Sequence, residues 1–123
     1  MTFYLKLEIL IRGLEPTGFY VKDPGLLEAA LARPKTTVFG EDAYQSLELK
    51  AASMVHSIIK NHPMVDGNKR TSWFALQAFL ALNGFSVAAT TDESFEFVLA
   101  VATDELSIEQ MAAWIAKHKT VRQ

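Results

Sequence analysis

The sequence predicts an all-α fold of about six helices arranged around one central apolar helix at about residues 68–82. Two observations lead to this prediction. Apolar residues recur at helical spacing along most of the chain, and short polar or Gly/Pro turns separate these segments. The exception is Pro34–Glu41, a strand-like segment that we expect to form a flap or short hairpin. With 123 residues and 50% hydrophobic composition, the chain fits a single domain spanning residues 1–123.

Two short helices are expected before the flap. The first covers Leu5–Leu14 and ends at the turn Glu15–Gly18. Asp23 followed by Pro24 is typical of an N-cap and the first helical position, so a helix over Gly25–Ala32 should follow.

Four longer helices are expected after the flap. Tyr44–Lys60 has an apolar stripe, whereas Asn68–Leu82 is apolar nearly all round, which is typical of a helix buried at the centre of its domain. The last two helices should span Asp92–Thr103 and Ser107–His118. Gln110, three residues after Ser107, matches a capping box.

Composition and charge narrow the range of functions. The formal net charge of −2 argues against a large basic face for nucleic acid. The absence of cysteine excludes disulfides, a thiolate nucleophile and a cysteine zinc site. The longest apolar stretch, Trp73–Leu82, is too short to span a bilayer, and the N-terminus does not resemble a signal peptide. We therefore expect a soluble cytoplasmic protein with neither nucleic acid nor membrane as a direct partner.

One loop carries an unusual density of functional groups. The nine residues are His62, Pro63, Met64, Val65, Asp66, Gly67, Asn68, Lys69 and Arg70. They lie just before, or in the first turn of, the predicted central helix. Helix N-termini present free N–H groups and partial positive charge, and they bind phosphate. A bound polyanion would explain two cations placed at the end of a helix where the macrodipole disfavours them.

The residue types in this loop suit phosphoryl or nucleotidyl transfer. His62 can exchange a proton near neutral pH, and Asp66 offers the hard oxygen ligand that Mg²⁺ prefers. Gly67 permits close approach of an anion to the backbone, and Asn68 can cap the helix or donate to a phosphate. Each feature alone is usually a turn, a cap or a solvated charge. Their combination within nine residues predicts a site for nucleotide phosphates.

The loop resembles the signature of the Fic/Doc family, H-x-F-x-(D/N)-(A/G)-N-(K/G)-R. Six positions match: His62, Asp66, Gly67, Asn68, Lys69 and Arg70. The flanking segments Asp23–Glu28 and Leu80–Gly84 resemble the death-on-curing (Doc) branch. The resemblance covers nearly the whole chain and implies the Fic/Doc fold.

The branch also implies a reaction. Adenylylating members carry Gly at the position of Lys69 and a second Arg at the position of Trp73. Doc-type proteins are understood to bind ATP in the reverse orientation and to transfer its terminal phosphate to a threonine of the translation factor EF-Tu, which stops protein synthesis. They are toxins of toxin–antitoxin pairs. The resemblance implies that an antitoxin, through a C-terminal segment that folds into a groove, holds the toxin inactive.

The resemblance assigns a role to each matching residue. His62 would be the general base, Asp66 would bind Mg²⁺, and Gly67 and Asn68 would shape the anion-binding turn. Lys69 and Arg70 would hold the phosphates of ATP. Two positions depart from the pattern: Met64 replaces the usual Phe that plugs the loop into the core, and Lys60 lies where some Doc proteins carry Arg.

Three alternatives remain open. The first is adenylyl transfer, which Lys69 and Trp73 disfavour. The second is a non-catalytic Fic-like binding module, although nothing structural requires both His62 and Asp66. The third is a metal-dependent phosphohydrolase, which needs more ligands than the loop offers. His56 and His118 lie elsewhere in the sequence, and His56 is expected to be structural.

Overall fold

The computed structural model describes residues 1–123 and contains six α-helices. Their bounds are α1 Leu7–Leu14, α2 Pro24–Ala32, α3 Leu47–Asn61, α4 Asn68–Leu82, α5 Thr91–Ala102 and α6 Ile108–His118. Short 3₁₀ turns follow α1 and α2, at Glu15–Thr17 and Arg33–Lys35. The predicted all-α fold class is confirmed. No helix is long and apolar enough to cross a membrane.

Side-chain caps fix most of the helix starts. Asp23 accepts a hydrogen bond from the Leu26 N–H, and Ser107 forms the predicted capping box with Gln110. Two caps were not predicted. Ser46 caps α3, so this helix begins at Leu47 rather than Tyr44, and a second capping box of Thr90 and Glu93 starts α5.

Four short strands form two small antiparallel pairs. The flap consists of β1 Thr37–Val38 and β2 Glu41–Asp42, joined by Phe39 and Gly40, which both have positive φ (52° and 82°). Its strands are shorter than the predicted segment Pro34–Glu41, because residues 33–35 form a 3₁₀ turn. The second pair was not predicted. It joins β3 Phe85–Val87 to β4 Lys119–Val121 across a long sequence separation.

The most enclosed helix is α3. Nine of its 15 residues are buried, compared with six of 15 in α4, the helix predicted to be central. Hydrophobic periodicity underestimates the burial of α3 because three of its buried residues are polar: Lys50, Ser53 and Ser57. The Lys50 ammonium binds the Asp42 carboxylate at 3.0 Å and the carbonyl of Tyr44, so even this buried charge is paired.

An arginine network attaches the base of the flap to α3. The Arg33 Nε donates to the Tyr44 hydroxyl at 2.9 Å, and its Nη1 donates to the Ser57 hydroxyl at 2.9 Å. The same Nη1 lies 3.0 Å from His56 Nδ1. Because a guanidinium only donates, His56 Nδ1 must accept, and the neutral imidazole carries its proton on Nε2. Burial, followed by the nearby charges of Arg33 and Lys60, lowers the pKa of His56.

This network predicts a loss of stability in mild acid. Below pH 6.5, the ordinary pKa of histidine, the unfolded chain takes up a proton at His56 that the folded protein resists. The free energy of unfolding should therefore fall as the pH drops from about 6.5. Urea denaturation between pH 7.5 and about 5 should show a shallower decline in a His56→Gln variant. Equal slopes in the variant and the wild type would contradict this prediction.

Candidate active site

The predicted site residues meet in one cleft, which lies between the C-terminal end of α3 and the N-terminal end of α4. The cleft has a volume of about 510 Å³, within the range of small-molecule sites. All six residues predicted from the sequence line it: His62, Asp66, Gly67, Asn68, Lys69 and Arg70. Phe19 and Lys60 also line the cleft, and the sequence did not assign them a role there.

Two left-handed residues shape the loop at either end. His62 is the C-cap of α3 with φ 51°, and its N–H donates to the Ile58 carbonyl at 3.3 Å. Gly67 is the N-cap of α4 with φ 76°. The chain therefore turns sharply on leaving α3 and again on entering α4. These two turns bring the His62 imidazole and the first turn of α4 to the same cleft.

Asn68 holds the loop closed. Its Oδ1 accepts from the Met64 N–H at 2.9 Å, and its Nδ2 donates to the Met64 carbonyl at 3.3 Å. Of the two roles that the sequence allowed for Asn68, a helix cap or a donor to phosphate, the first is wrong, because Gly67 is the N-cap and Asn68 is the first residue of α4. The second stays a prediction. No side chain caps α4, so amides of its first turn have no protein partner and remain available to an anion.

Met64 stands where the signature that the loop resembles has Phe, and it is part of the core. Its side chain is 1% exposed and belongs to the continuous hydrophobic core. A flexible thioether can fill such an irregular space, so the departure from the family pattern leaves no exposed gap at this residue.

An N-terminal segment clamps the loop from the other side. Val65 N–H donates to the Tyr20 carbonyl at 3.0 Å, and the N–H groups of Lys22 and Asp23 donate to the Pro63 carbonyl at 2.8 and 2.9 Å. This pairing places the ring of Phe19 directly on Gly67. A Cβ atom at Gly67 would lie 2.7 Å from two carbons of that ring.

Charge in the cleft is mainly positive. Lys60, Lys69 and Arg70 line the cleft together with a single carboxylate, Asp66. Neither Asp66, Lys69 nor Arg70 takes part in an ion pair within the chain. Of the charged residues that line the cleft, only Lys60 forms an ion pair, with Asp104. Because Lys69 and Arg70 have no carboxylate partner, the cleft is suited to an anion.

Lys60 is held at the edge of the cleft by the end of α5. Its Nζ lies 2.7 Å from Asp104 Oδ1 and donates to the Ala102 carbonyl at 3.4 Å. The hydrogen bond and charge of Lys60 lower the pKa of the Asp104 carboxyl. Lys60 therefore sits at a helix C-terminus, where the macrodipole favours a cation.

A second, more apolar cleft of about 870 Å³ adjoins the first. It lies between α1, α4, β3 and α5, and it shares Phe19, Lys69 and Arg70 with the first cleft. Trp73, at the position of the second Arg in adenylylating members, lines it.

The close contact between Phe19 and Gly67 predicts an unequal cost for two glycine substitutions. A Cβ atom at Gly84 would have no atom within 4 Å, so Gly84→Ala should lower the free energy of unfolding only by the cost of its left-handed backbone, about 1–2 kcal/mol. Gly67→Ala should cost about 1–3 kcal/mol more, because the new methyl group overlaps the Phe19 ring. The measurement is chemical denaturation of both variants.

A double-mutant cycle isolates the contact. Phe19→Ala removes the ring, so Gly67→Ala should cost less in that background than in the wild type. Additive effects, or equal costs for Gly67→Ala and Gly84→Ala, would argue against close packing of Phe19 on Gly67.

Comparison with known proteins agrees with this site. Residues 5–80, which include the whole loop, match the family model described as Fic/DOC family. The chain is also 44% identical over 121 residues to Toxin Doc of Mycolicibacterium smegmatis, an alignment that covers 94% of this chain and 93% of the relative. A match over more than half of the chain and a relative aligned over almost all of it lead to the same conclusion: the chain belongs to the Fic/DOC family.

Proposed function

We propose that this protein is the toxin of a toxin–antitoxin pair and transfers the terminal phosphate of ATP to a hydroxyl group of a translation factor such as EF-Tu. The observation that carries the proposal is the convergence of His62, Asp66 and the uncapped start of α4 on one cleft. The name of the relative, Toxin Doc, supports the toxin role. The sequence resemblance to the Doc branch supplies the phosphate transfer and the class of target.

The cleft supplies the parts that phosphoryl transfer needs, which are positioning and charge stabilisation. The free amides of α4, with Lys69 and Arg70, would bind the phosphate chain. The His62 imidazole would accept the proton of the attacking hydroxyl as its oxygen bonds to the γ-phosphorus. The bond from that phosphorus to the bridging oxygen breaks, and ADP leaves with the electron pair.

The donor set at Asp66 fits Mg²⁺ that arrives with a nucleotide. No group of three or more His, Cys, Asp or Glu side chains could hold a metal ion by itself. Mg²⁺ in nucleotide sites is commonly held by one or two carboxylates together with the phosphates, which matches a single Asp66. When bound, Mg²⁺ neutralises charge on the phosphates. The same donor set disfavours a phosphohydrolase that needs a protein-only metal cage.

Two residues favour phosphate transfer over adenylyl transfer. Lys69 adds a cation where the adenylylating members have Gly, and Trp73 takes the place of the Arg that would bind a further phosphate. The flap offers a contact for a protein target or for the antitoxin, because Val38 is 53% exposed and Phe39 is fully exposed. Short antiparallel strands of this kind can pair with an extended segment.

Replacing His62 tests the catalytic assignment. Asparagine tolerates the left-handed backbone of this position better than most residues, so His62→Asn should fold normally. Loss of the base should reduce phosphate transfer about 10²–10⁴-fold and relieve growth inhibition. Label from γ-³²P-ATP should reach the target with the wild type but not with the variant.

The position of the label separates the two enzyme hypotheses. Transfer of label from α-³²P-ATP by the wild type would support adenylylation and contradict the kinase proposal. A His62→Asn protein of normal thermal stability and undiminished toxicity would exclude His62 as the base.

Replacing Asp66 tests the metal assignment. Asp66→Asn keeps the shape of the side chain but removes the charge that would hold Mg²⁺. Calorimetry of ATP binding should show a marked gain from Mg²⁺ in the wild type and little or none in Asp66→Asn. If the variant keeps the full effect of Mg²⁺, the metal is held elsewhere.

A further inference from the structure

Asp104 follows the end of α5 and binds one of the cations of the first cleft. Its Oδ1 atom lies 2.7 Å from the ammonium of Lys60, which lines that cleft. We propose that Asp104 is a positioning residue that competes with a bound anion for the Lys60 ammonium, and so lowers the affinity of the cleft for anions. This inference rests on the proposed function, because it concerns how readily that site binds and releases an anion.

The backbone at Asp104 departs from the usual choice of residue. The end of α5 forms a Schellman motif, in which the Asp104 N–H donates to the Val101 carbonyl at 3.2 Å. The Glu105 N–H completes it by donating to the Ala100 carbonyl at 2.9 Å. Asp104 thus occupies the left-handed position of the motif, with φ 61°, where glycine is usual because it has no Cβ atom. The contact with Lys60 gives a reason for a carboxylate at this strained position.

The end of α5 uses most of the hydrogen-bonding capacity of Lys60. An ammonium has three N–H donors. One faces Asp104 Oδ1, and a second reaches the Ala102 carbonyl at 3.4 Å. The negative charge of Asp104 and the dipole at the C-terminal end of α5 also offset the positive charge of Lys60. In this arrangement Lys60 attracts an anion less than the unpaired Lys69 and Arg70 do.

The pair is weak enough to exchange partners. The Asp104 side chain is 71% exposed and that of Lys60 is 32% exposed, and ion pairs in water contribute little stability. The contact with the Ala102 carbonyl is long for a hydrogen bond. An anion of two or more charges in the cleft should therefore attract the ammonium more strongly than one solvated carboxylate does. The flexible stem of Lys60 allows the change of partner.

Such competition suits a site that has to release a charged product. Phosphate transfer leaves an anionic nucleotide among Lys60, Lys69 and Arg70, which all line the cleft. With all three cations unpaired, the product would leave slowly. Changes of affinity at a given site lie mostly in the dissociation rate, so Asp104 should act mainly by speeding release.

The test measures the affinity for inorganic pyrophosphate, with Mg²⁺, by calorimetry at about 0.1 M salt. Asp104→Asn removes the charge, and asparagine tolerates the left-handed backbone. This variant should bind pyrophosphate about two- to fivefold more tightly, the range expected for an exposed ion pair. The gain should disappear at about 1 M salt, where charges are screened. Glu105→Gln is the matched control and should change the affinity far less, because the exposed Glu105 carboxylate accepts from the Thr103 hydroxyl and does not contact Lys60.

A double-mutant cycle shows whether Asp104 acts through Lys60. Lys60→Met keeps the length of the side chain but removes the ammonium. If Asp104 acted only through its field, Asp104→Asn would tighten binding equally with Lys or Met at position 60. The inference expects most of the gain to vanish in the Lys60→Met background, and equal gains would overturn it.

Asp104→Gly separates charge from backbone strain. Glycine relieves the left-handed conformation, so this variant should be more thermally stable than Asp104→Asn. Both variants lose the same charge and should bind pyrophosphate with the same increased affinity. An affinity that follows thermal stability instead of charge would assign Asp104 a structural role only and contradict the inference.

The outcomes also separate this inference from the proposed function. Unchanged or weaker pyrophosphate binding in Asp104→Asn would overturn the inference while leaving the anion site of the proposed function intact. Failure of the wild type to bind pyrophosphate with Mg²⁺ would contradict both.

Discussion

The candidate active site depends on the main-chain pairing between Phe19–Asp23 and Pro63–Val65. Three hydrogen bonds join these segments, each contributing about 0.5–1.5 kcal/mol net. They connect the loop between α3 and α4 to a stretch of chain 40 to 45 positions earlier. The same pairing sets Phe19 on Gly67, so the turn that presents the α4 amides is fixed by packing as well as by hydrogen bonds.

The placement of Lys69 and Arg70 in the cleft opposes the dipole of α4. Lys60 lies at the C-terminal end of α5 with a carboxylate partner, an arrangement that the helix dipole and Coulomb attraction both favour. Lys69 and Arg70 lie at the N-terminal end of α4, where the helix dipole disfavours a cation, and neither has an ion-pair partner. Folded proteins depart from locally favourable choices mainly at functional sites, and these two cations are such a departure. An anion in the cleft would remove the conflict.

Local chemistry made much of the fold predictable from the sequence. Helical spacing, the Asp23–Pro24 start and the Ser107–Gln110 capping box placed helices within a few residues of their observed bounds. The six loop residues were predicted to act together because they are adjacent in the chain, and they do line one cleft.

Features that depend on distant contacts could not be predicted in this way. The β3–β4 pair joins residues about 34 positions apart, and neither strand has a strong pattern of its own. Phe19 reaches the site through tertiary pairing, and its segment has no periodicity that would mark it. The absence of a side chain at Gly67 was the only trace of that contact in the sequence. The burial of Lys50 and Ser57 also went undetected, because their partners, Asp42 and Arg33, lie outside α3 and meet them only in the folded chain.

The late position of α6 and β4 in the chain affects the order in which the molecule can mature on the ribosome. Met111, Ala112 and Ile115 of α6 complete the core around α3, and β4 gives β3 its only strand partner. All of these residues are synthesised after the loop that carries His62. Translation adds roughly 5–20 residues per second, so the nascent chain exposes apolar faces of α3 for some seconds before α6 can cover them. During that interval the loop from His62 to Arg70 already exists as sequence but lacks the complete core that supports it, so any activity of this cleft has to await the synthesis of α6.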